Sequence, residues 1–131
     1  MMFLLLACSD AVLPTTQLQV DGHTILAEVA DSGEERSLGL MYRDTLGRDD
    51  GMLFVYPDRA SRSFWMKNTR IPLSVAFVDD DGTILEIADL KPMDDRPVAS
   101  VAASRFALEM NQGWFTQNRV VVGSRIEGLP R

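Results

Sequence analysis

The chain has 131 residues but only one cysteine, Cys8, and one histidine, His23. A single cysteine excludes an intrachain disulfide and a cluster of thiolate metal ligands. A single histidine excludes a zinc site built from several imidazoles. Nucleophilic catalysis by a serine or cysteine paired with histidine would have to use His23, which directly follows Asp21-Gly22, a hairpin-turn signal. We therefore expect no metal, no cofactor and no histidine-dependent catalysis.

Basic residues are also in the minority, with 13 Lys and Arg against 19 Asp and Glu and a net charge of −6. They are scattered along the chain, and Arg59 and Arg62 are the nearest approach to a cluster. An acidic chain without a basic stripe repels phosphate backbones, so we expect no nucleic-acid partner. The run Asp79-Asp80-Asp81 lacks the remaining ligand spacing of a calcium loop and is interpreted as a solvated turn.

No apolar run approaches the ~20 residues needed to cross a bilayer. The apolar run at residues 1–7 ends at Cys8 and resembles the end of a secretory signal. Leu5-Leu6-Ala7-Cys8 also resembles a bacterial lipobox, in which the cysteine becomes lipid-modified. The pattern predicts a remnant signal and tether over residues 1–16 and export to the periplasm or cell envelope, with membrane contact only through a lipid on Cys8. The alternative is a frayed apolar terminus.

Short β-rich segments separated by turn residues dominate the rest of the chain, residues 17–131. Residues 73–78 form an almost unbroken apolar run, which is typical of a strand covered on both faces. The turn Asp80-Asp81-Gly82 joins this run to a second β-rich run at residues 83–90, which predicts a hairpin. About seven to nine such segments with one helix predict a mainly β, compact single domain, either a barrel or a sandwich.

One short helix is predicted near residues 33–43. Ser32 and Glu35 have the spacing of a capping box, in which each side chain accepts a hydrogen bond from the backbone amide of the other residue. Such a pair satisfies amides that the first turn of a helix leaves without partners. The residues expected on the buried side of this helix are Leu38, Met41 and Tyr42.

Five motifs occur in the order found in a known family. They are Gly39-Leu40-Met41, Gly51-Met52-Leu53-Phe54, Phe64-Trp65-Met66-Lys67-Asn68, Ile71-Pro72-Leu73 and Ala107-Leu108-Glu109-Met110-Asn111. Through them the chain resembles, from about residue 24 to residue 126, the family of domain of unknown function 192 (DUF192). The resemblance implies a compact β-barrel or sandwich with one helix, and frequent export, but no established activity. That family commonly has aspartate after Pro-Leu, where this chain has Ser74.

The third motif brings a large aromatic ring, a cation and an amide together on a strand predicted over residues 63–68. Alternation puts Trp65 and Lys67 on one face of this strand, opposite the neighbouring apolar residues. An exposed indole beside an ammonium suits a sugar ring, a peptide or an aromatic ligand. The favoured alternative is that Trp65 packs under the helix and Lys67 extends past it. Asn68 is interpreted as pinning the bend that follows.

A second set of candidates lies on a later segment that alternates like a strand. Arg105 and Glu109 share one of its faces. The favoured interpretation of Glu109 is an ion pair, with Lys67 as a partner on the same face. If desolvated, Glu109 would instead serve as a general acid or base. Glycoside hydrolysis would need a second carboxylate, for which Asp58 and Glu86 are the candidates.

The candidate ligand-binding residues are therefore Trp65, Lys67, Asn68, Arg105 and Glu109. Our leading hypothesis is a monomeric, exported domain without catalytic residues that binds a small molecule, a saccharide or an envelope protein. One alternative is an envelope saccharide hydrolase or lyase that uses Glu109 and Lys67. Another is a structural or assembly factor. Convergence of Trp65, Lys67, Asn68 and Glu109 on one open cavity would favour binding or catalysis over a structural role.

Overall fold

The computed structural model describes residues 12–130, so the expected lipidation site, Cys8, lies outside the described residues. The domain is mainly β, and most of its strands form one curled sheet that resembles half a barrel. Across this sheet the strands are ordered β6 (Ile84–Leu90), β5 (Leu73–Val78), β8 (Ser104–Asn111), β3 (Asp50–Ala60), β2 (His23–Ala30), β1 (Thr15–Val20) and β9 (Ile126–Glu127). A separate ribbon pairs β4 (Ser63–Phe64) with β7 (Val98–Ala99). The expected fold class is confirmed.

One pair of neighbouring strands in the large sheet, β2 and β3, runs parallel, and the other pairs are antiparallel. A parallel pair cannot be joined by a tight turn, and residues 31–49 provide the longer crossover that it needs. The crossover contains helix α1 (Gly33–Leu38). Arg36 of this helix donates a hydrogen bond of 2.8 Å to the carbonyl of Val55 in β3, which holds the helix against the sheet. The predicted hairpin is confirmed as β5 and β6.

The sheet buries an apolar layer on each of its faces. The first core includes Leu53, Phe106, Leu108 and Phe115. The second core consists of Ala30, Leu40, Met52, Phe54, Phe64, Met66, Ile71, Leu73, Val75, Phe77, Leu90 and Ala107. All six residues of β5 are buried, because alternate residues of this central strand contribute to the two cores. Each fully buried large apolar side chain contributes roughly 1.5–3 kcal/mol to the free energy of folding.

Helix α1 is shorter than the sequence predicts and ends at Leu38 instead of near residue 43. Its capping box is present. The Glu35 amide donates to the Ser32 hydroxyl at 3.1 Å, and the Ser32 amide donates to the Glu35 carboxylate at 3.2 Å. Gly39 then adopts a φ of 49°, in the left-handed region, and the helix stops there.

The turn at Gly39 also changes which side chains are buried. Leu38 and Tyr42 are 54% and 62% exposed, so their expected burial is wrong. Met41 is half-buried, and the residue that enters the second core is Leu40, beyond the end of the helix. The reason is that a helix of six residues cannot set the orientation of the residues after its last turn.

A second short helix, α2 (Trp114–Gln117), follows β8. The chain enters it through Gly113, whose φ of 87° reverses the direction of the backbone. Trp114 and Phe115 of this helix are buried in the first core. Within residues 12–130, neither helix has the length or the apolar content required to span a bilayer.

Candidate functional site

A cavity of about 480 Å³ opens between helix α1 and residues 63–69, over the second core. The large apolar residues that line it are Leu38, Leu40, Met41, Phe54, Phe64, Trp65 and Met66. The polar side chains that line it include those of Arg36, Tyr56, Ser63, Thr69 and Glu109. Its volume lies within the range of small-molecule binding sites, about 300–1,000 Å³.

Glu109 lies at the inner end of this cavity, on the central strand β8. Its neighbours across the sheet are Met52 on β3 and Val75 on β5, both members of the second core. The side chain of Glu109 is only 4% exposed, and it is the only charged residue among the buried residues of the described chain. The alternation of β8 thus directs a carboxyl group into an otherwise apolar layer.

Within the part of the chain that the structure describes, the Glu109 carboxyl has no hydrogen-bond or ion-pair partner. Within residues 12–130 it forms no salt bridge, and the ion pair with Lys67 that the sequence favoured is absent. Burial alone raises the pKa of Glu109 from 4.5 to about 8, with no hydrogen bond or neighbouring charge contributing to the change. At pH 7 the group is therefore mainly protonated, and it can donate one hydrogen bond as well as accept others.

Tyr56 and Arg36 form a polar wall of the cavity, and Arg62 lies behind them against the Tyr56 ring. The Tyr56 ring centroid lies 3.8 Å from the guanidinium carbon of Arg62 and 5.0 Å from that of Arg36. Burial raises the pKa of the Tyr56 phenol, although both guanidinium groups act in the opposite direction. The Arg62 guanidinium is held in place, since its Nε donates to the Ser104 carbonyl at 3.0 Å and its Nη2 donates to the carbonyl and the carboxylate of Asp58. Only Arg36 and Tyr56 of these residues line the cavity.

Trp65 forms part of the mouth of the cavity. Strand β4 ends at Phe64, so the predicted strand over residues 63–68 is too long, but the alternation persists. Phe64 and Met66 are buried, whereas Trp65 is 46% exposed and Lys67 is also exposed. The Lys67 ammonium lies 5.2 Å from the Trp65 ring centroid, a cation–π contact. Trp65 is therefore not packed under the helix.

Asn68 joins two loops near the mouth of the cavity, which is a structural role, but its side chain bonds Tyr42 and not the bend that follows it, which the sequence predicted as its partner. Its side-chain amide donates to the Tyr42 hydroxyl at 3.0 Å, and its carbonyl accepts from the Tyr42 amide at 2.9 Å. The next carbonyl, that of Thr69, accepts from the Met93 amide at 2.9 Å. Tyr42, Asn68 and Met93 all have left-handed backbones, with φ of 66°, 55° and 61°. Three strained non-glycine residues at one corner are typical of a functional site.

Arg105 does not belong to this cavity, although it shares a face of β8 with Glu109. Its Nε contacts the Tyr56 carbonyl at 3.4 Å, and its side chain lines a separate hollow with Asp80 and Arg125. Four residues along a strand span about 13 Å, so a shared face does not imply a shared site. Of the four residues expected to converge, the structure brings Trp65 and Glu109 together in the lining of the cavity, whereas Lys67 and Asn68 do not line it.

The proposed second carboxylates lie elsewhere. Asp58 forms a salt bridge of 3.0 Å with Arg62, and Glu86 accepts hydrogen bonds of 2.8 Å from the amides of Val101 and Ala102. Neither residue lines the cavity. In the part of the chain that the structure describes, no group of three His, Cys, Asp or Glu side chains could hold a metal ion.

Arg36 and Tyr56 are the site residues that sequence reasoning missed. Tyr56 follows Met52 and Phe54 at alternate positions of one strand. Alternation could therefore have placed all three side chains on the same face. Arg36 carried no comparable signal, because its approach to Tyr56 depends on how the crossover folds back onto the sheet.

The five motifs meet around this cavity and the strands beneath it. A family model for uncharacterised proteins, DUF192, matches residues 16–128. The chain belongs to the DUF192 family. A search of curated proteins finds no match.

The solved structures similar to this DUF192 chain include the following two. One is a protein from Sinorhizobium meliloti 1021 proposed to be a transcription regulator, with a TM-score of 0.88 and 31% identity over 91% of this chain and 97% of the other. The second is a protein of unknown function from Novosphingobium aromaticivorans DSM 12444, with a TM-score of 0.86 and 30% identity over 92% of this chain and 89% of the other. These relatives support the fold and the family, and their names describe no ligand.

Proposed function

We propose that this DUF192 chain is an exported, non-catalytic domain that binds a small, largely apolar molecule in the cavity over Glu109. The observation that carries the proposal is a buried carboxyl group, without a partner in residues 12–130, in a cavity that an exposed indole also lines. Binding sites commonly combine an apolar lining with a few polar groups that fix the orientation of the ligand.

The cost of burying Glu109 supports a binding role over a purely structural one. A buried polar group without a hydrogen-bond partner costs about 1–3 kcal/mol of folding free energy. A domain that served only as a scaffold would gain stability from an apolar residue at this position. A bound molecule that supplies the missing partner would recover this cost, and the carboxyl would then favour that molecule over apolar molecules of similar size.

The position of Lys67 supports binding over saccharide hydrolysis. Glycoside hydrolysis would need a second carboxylate beside Glu109. Lys67 lies against the Trp65 ring and does not line the cavity, and the carboxylates of Asp58 and Glu86 contact other groups. We therefore assign Glu109 to ligand orientation.

A thermal-shift screen with purified protein tests the binding proposal. The panel consists of medium-chain carboxylic acids, alcohols and amines, aromatic acids, disaccharides and short peptides. A true ligand at 100 times its Kd stabilises the protein by about 3 kcal/mol, a rise of roughly 10 °C in Tm.

Trp65→Ala should reduce this rise. Leu26→Ala is the matched control, since Leu26 is similarly exposed, at 48%, but does not line the cavity. A panel without a hit, or equal losses in both variants, would refute the proposal.

The export part of the proposal depends on residues 5–8 and needs its own experiment. Cells that make the protein from its native reading frame would be separated into cytoplasmic, periplasmic and membrane fractions. Mass spectrometry should find the protein outside the cytoplasm, with a diacylglycerol group on Cys8 if the lipobox functions. A cytoplasmic protein with an unprocessed amino terminus would refute export without affecting the binding proposal.

A further inference from the structure

We infer that the ligand of this cavity is an apolar organic acid, whose hydrocarbon or aromatic body contacts the second core and whose anionic group is bound by Arg36. The inference rests on the proposed binding function and adds the chemical class of the ligand. It follows from three features: the hydrogen-bond donors of Arg36 that the protein leaves unused, the charges around the cavity, and the protonation of Glu109.

The first observation is that Arg36 retains unused hydrogen-bonding capacity. A guanidinium group has five N–H donors, and one nitrogen of Arg36 donates to the Val55 carbonyl at 2.8 Å. Within residues 12–130, five other arginines form salt bridges with carboxylates, namely Arg43, Arg59, Arg62, Arg70 and Arg96. Arg36 forms none, and neither do Arg48, Arg105, Arg119 and Arg125. Among the arginines of residues 12–130, Arg36 is the one that lines the cavity. Its side chain lines the cavity, where a ligand carboxylate can accept two parallel hydrogen bonds.

The second observation is the sign of the charge at the cavity. The titratable or charged residues in the lining are Arg36, Tyr56 and Glu109, and Lys67 lies beside the exposed Trp65. Strands β3 and β5, which pair with β8, present Met52 and Val75 beside Glu109. Arg36 and Lys67 therefore disfavour an ammonium ligand at the mouth and favour an anion.

The third observation is that Glu109 does not oppose an anion at neutral pH. Its pKa of about 8 leaves it mainly protonated at pH 7, so the inner end of the cavity is apolar and uncharged. A protonated carboxyl also donates a hydrogen bond, which suits a ligand that carries a carbonyl or hydroxyl oxygen on its body. Above pH 8 the ionised carboxylate would repel the same ligand.

Three ligands with one tail and different head groups test this inference: octanoate, octanol and octylamine. Isothermal titration calorimetry with the full chain at pH 7 should show the tightest binding for octanoate and the weakest for octylamine. If octanoate binds only the protonated form, its Kd should rise about tenfold between pH 7 and pH 9, because that form falls to about one-tenth of the protein. Glu109→Gln should bind octanoate with little change over this pH range.

Two arginine variants identify the group that binds the anion. Arg36→Met should lose at least tenfold in octanoate affinity but retain octanol binding, which also shows that the cavity is intact. Arg48→Met is the matched control, since Arg48 lies beside Trp114 in a different hollow and should leave both affinities unchanged.

The outcomes separate the inference from the proposed function. Octylamine binding more tightly than octanoate, or octanoate affinity that rises with pH, would overturn the organic-acid inference while confirming that the cavity binds ligands. Equal binding of all three, or no effect of Arg36→Met, would also overturn it. If none of the three binds and the wider panel gives no hit, the proposed function fails as well.

Discussion

Replacing Glu109 by glutamine should make the protein more stable at alkaline pH and change how its stability depends on pH. Glutamine has nearly the same shape as glutamic acid but does not ionise. In the wild-type protein, the pKa of Glu109 is raised from 4.5 to about 8 by burial. Between these two values the unfolded chain has lost the proton while the native protein retains it. The free energy of unfolding must therefore fall as the pH rises through this window.

The size of the effect follows from the change in pKa. Each pKa unit corresponds to about 1.4 kcal/mol, and the change from 4.5 to about 8 spans roughly 3.5 units. Glu109 should therefore cost the native state about 3 kcal/mol at pH 7 and about 5 kcal/mol above pH 8, relative to pH 4. This is a large share of the 5–15 kcal/mol that stabilises a typical domain.

Urea denaturation at pH 5, 6, 7, 8 and 9 measures this effect in both proteins. Every other titrating group is common to the two, so the difference between their free energies of unfolding isolates Glu109. We expect the Glu109→Gln variant to gain about 1 kcal/mol relative to the wild type for each pH unit from 5 to 8, and little more above pH 8, where the native carboxyl is itself ionised. A difference that stays constant from pH 5 to pH 9 would refute our view that the carboxyl is buried without a partner.

Three further substitutions test the packing around the site, each by urea denaturation. Gly51→Ala should cost about 2 kcal/mol, because its Cβ would lie 2.5 Å from the backbone carbonyl of Glu109; an unchanged unfolding midpoint would contradict this packing. Ser32→Ala should cost about 1 kcal/mol by removing the cap that Ser32 provides, while Ser32→Asp should retain most of the stability. Asn68→Ala should be less stable than Asn68→Gly by about 1 kcal/mol, since φ is 55° there; the reverse order would exclude strain at this turn.

The sequence predicted the structure best where short-range patterns, such as the alternation of a strand or the cap of a helix, determine it. Alternation placed Trp65 and Lys67 on one face of their segment, opposite Phe64 and Met66, even though the strand is only two residues long. The favoured packing of Trp65 under the helix was wrong, because the ring is exposed. The apolar run in β5 predicted burial on both faces, and the capping box predicted where α1 begins. These features depend on residues that are near one another in the chain, so short-range patterns are sufficient to identify them.

The environment of Glu109 was decided by the tertiary structure. The sequence placed Glu109 and Arg105 on the same face of a strand and favoured an ion pair. The fold instead surrounds Glu109 with the second core and directs Arg105 to a different hollow. Whether a side chain on a sheet is solvated, paired or isolated depends on which distant segment covers that part of the sheet, and alternation carries no information about the covering segment.

The amino-acid sequence by itself therefore determined the mainly β class, the start of the helix, the inward and outward faces of the strands and the family. The tertiary structure decided where the helix ends relative to the core, that Arg36 of the crossover approaches Tyr56, and that Glu109 has no partner. The physical reason is the distance along the chain between the residues that interact. Strand and capping preferences arise from neighbouring residues, whereas a cavity and the pKa of its buried carboxyl arise from contacts between segments far apart in the chain.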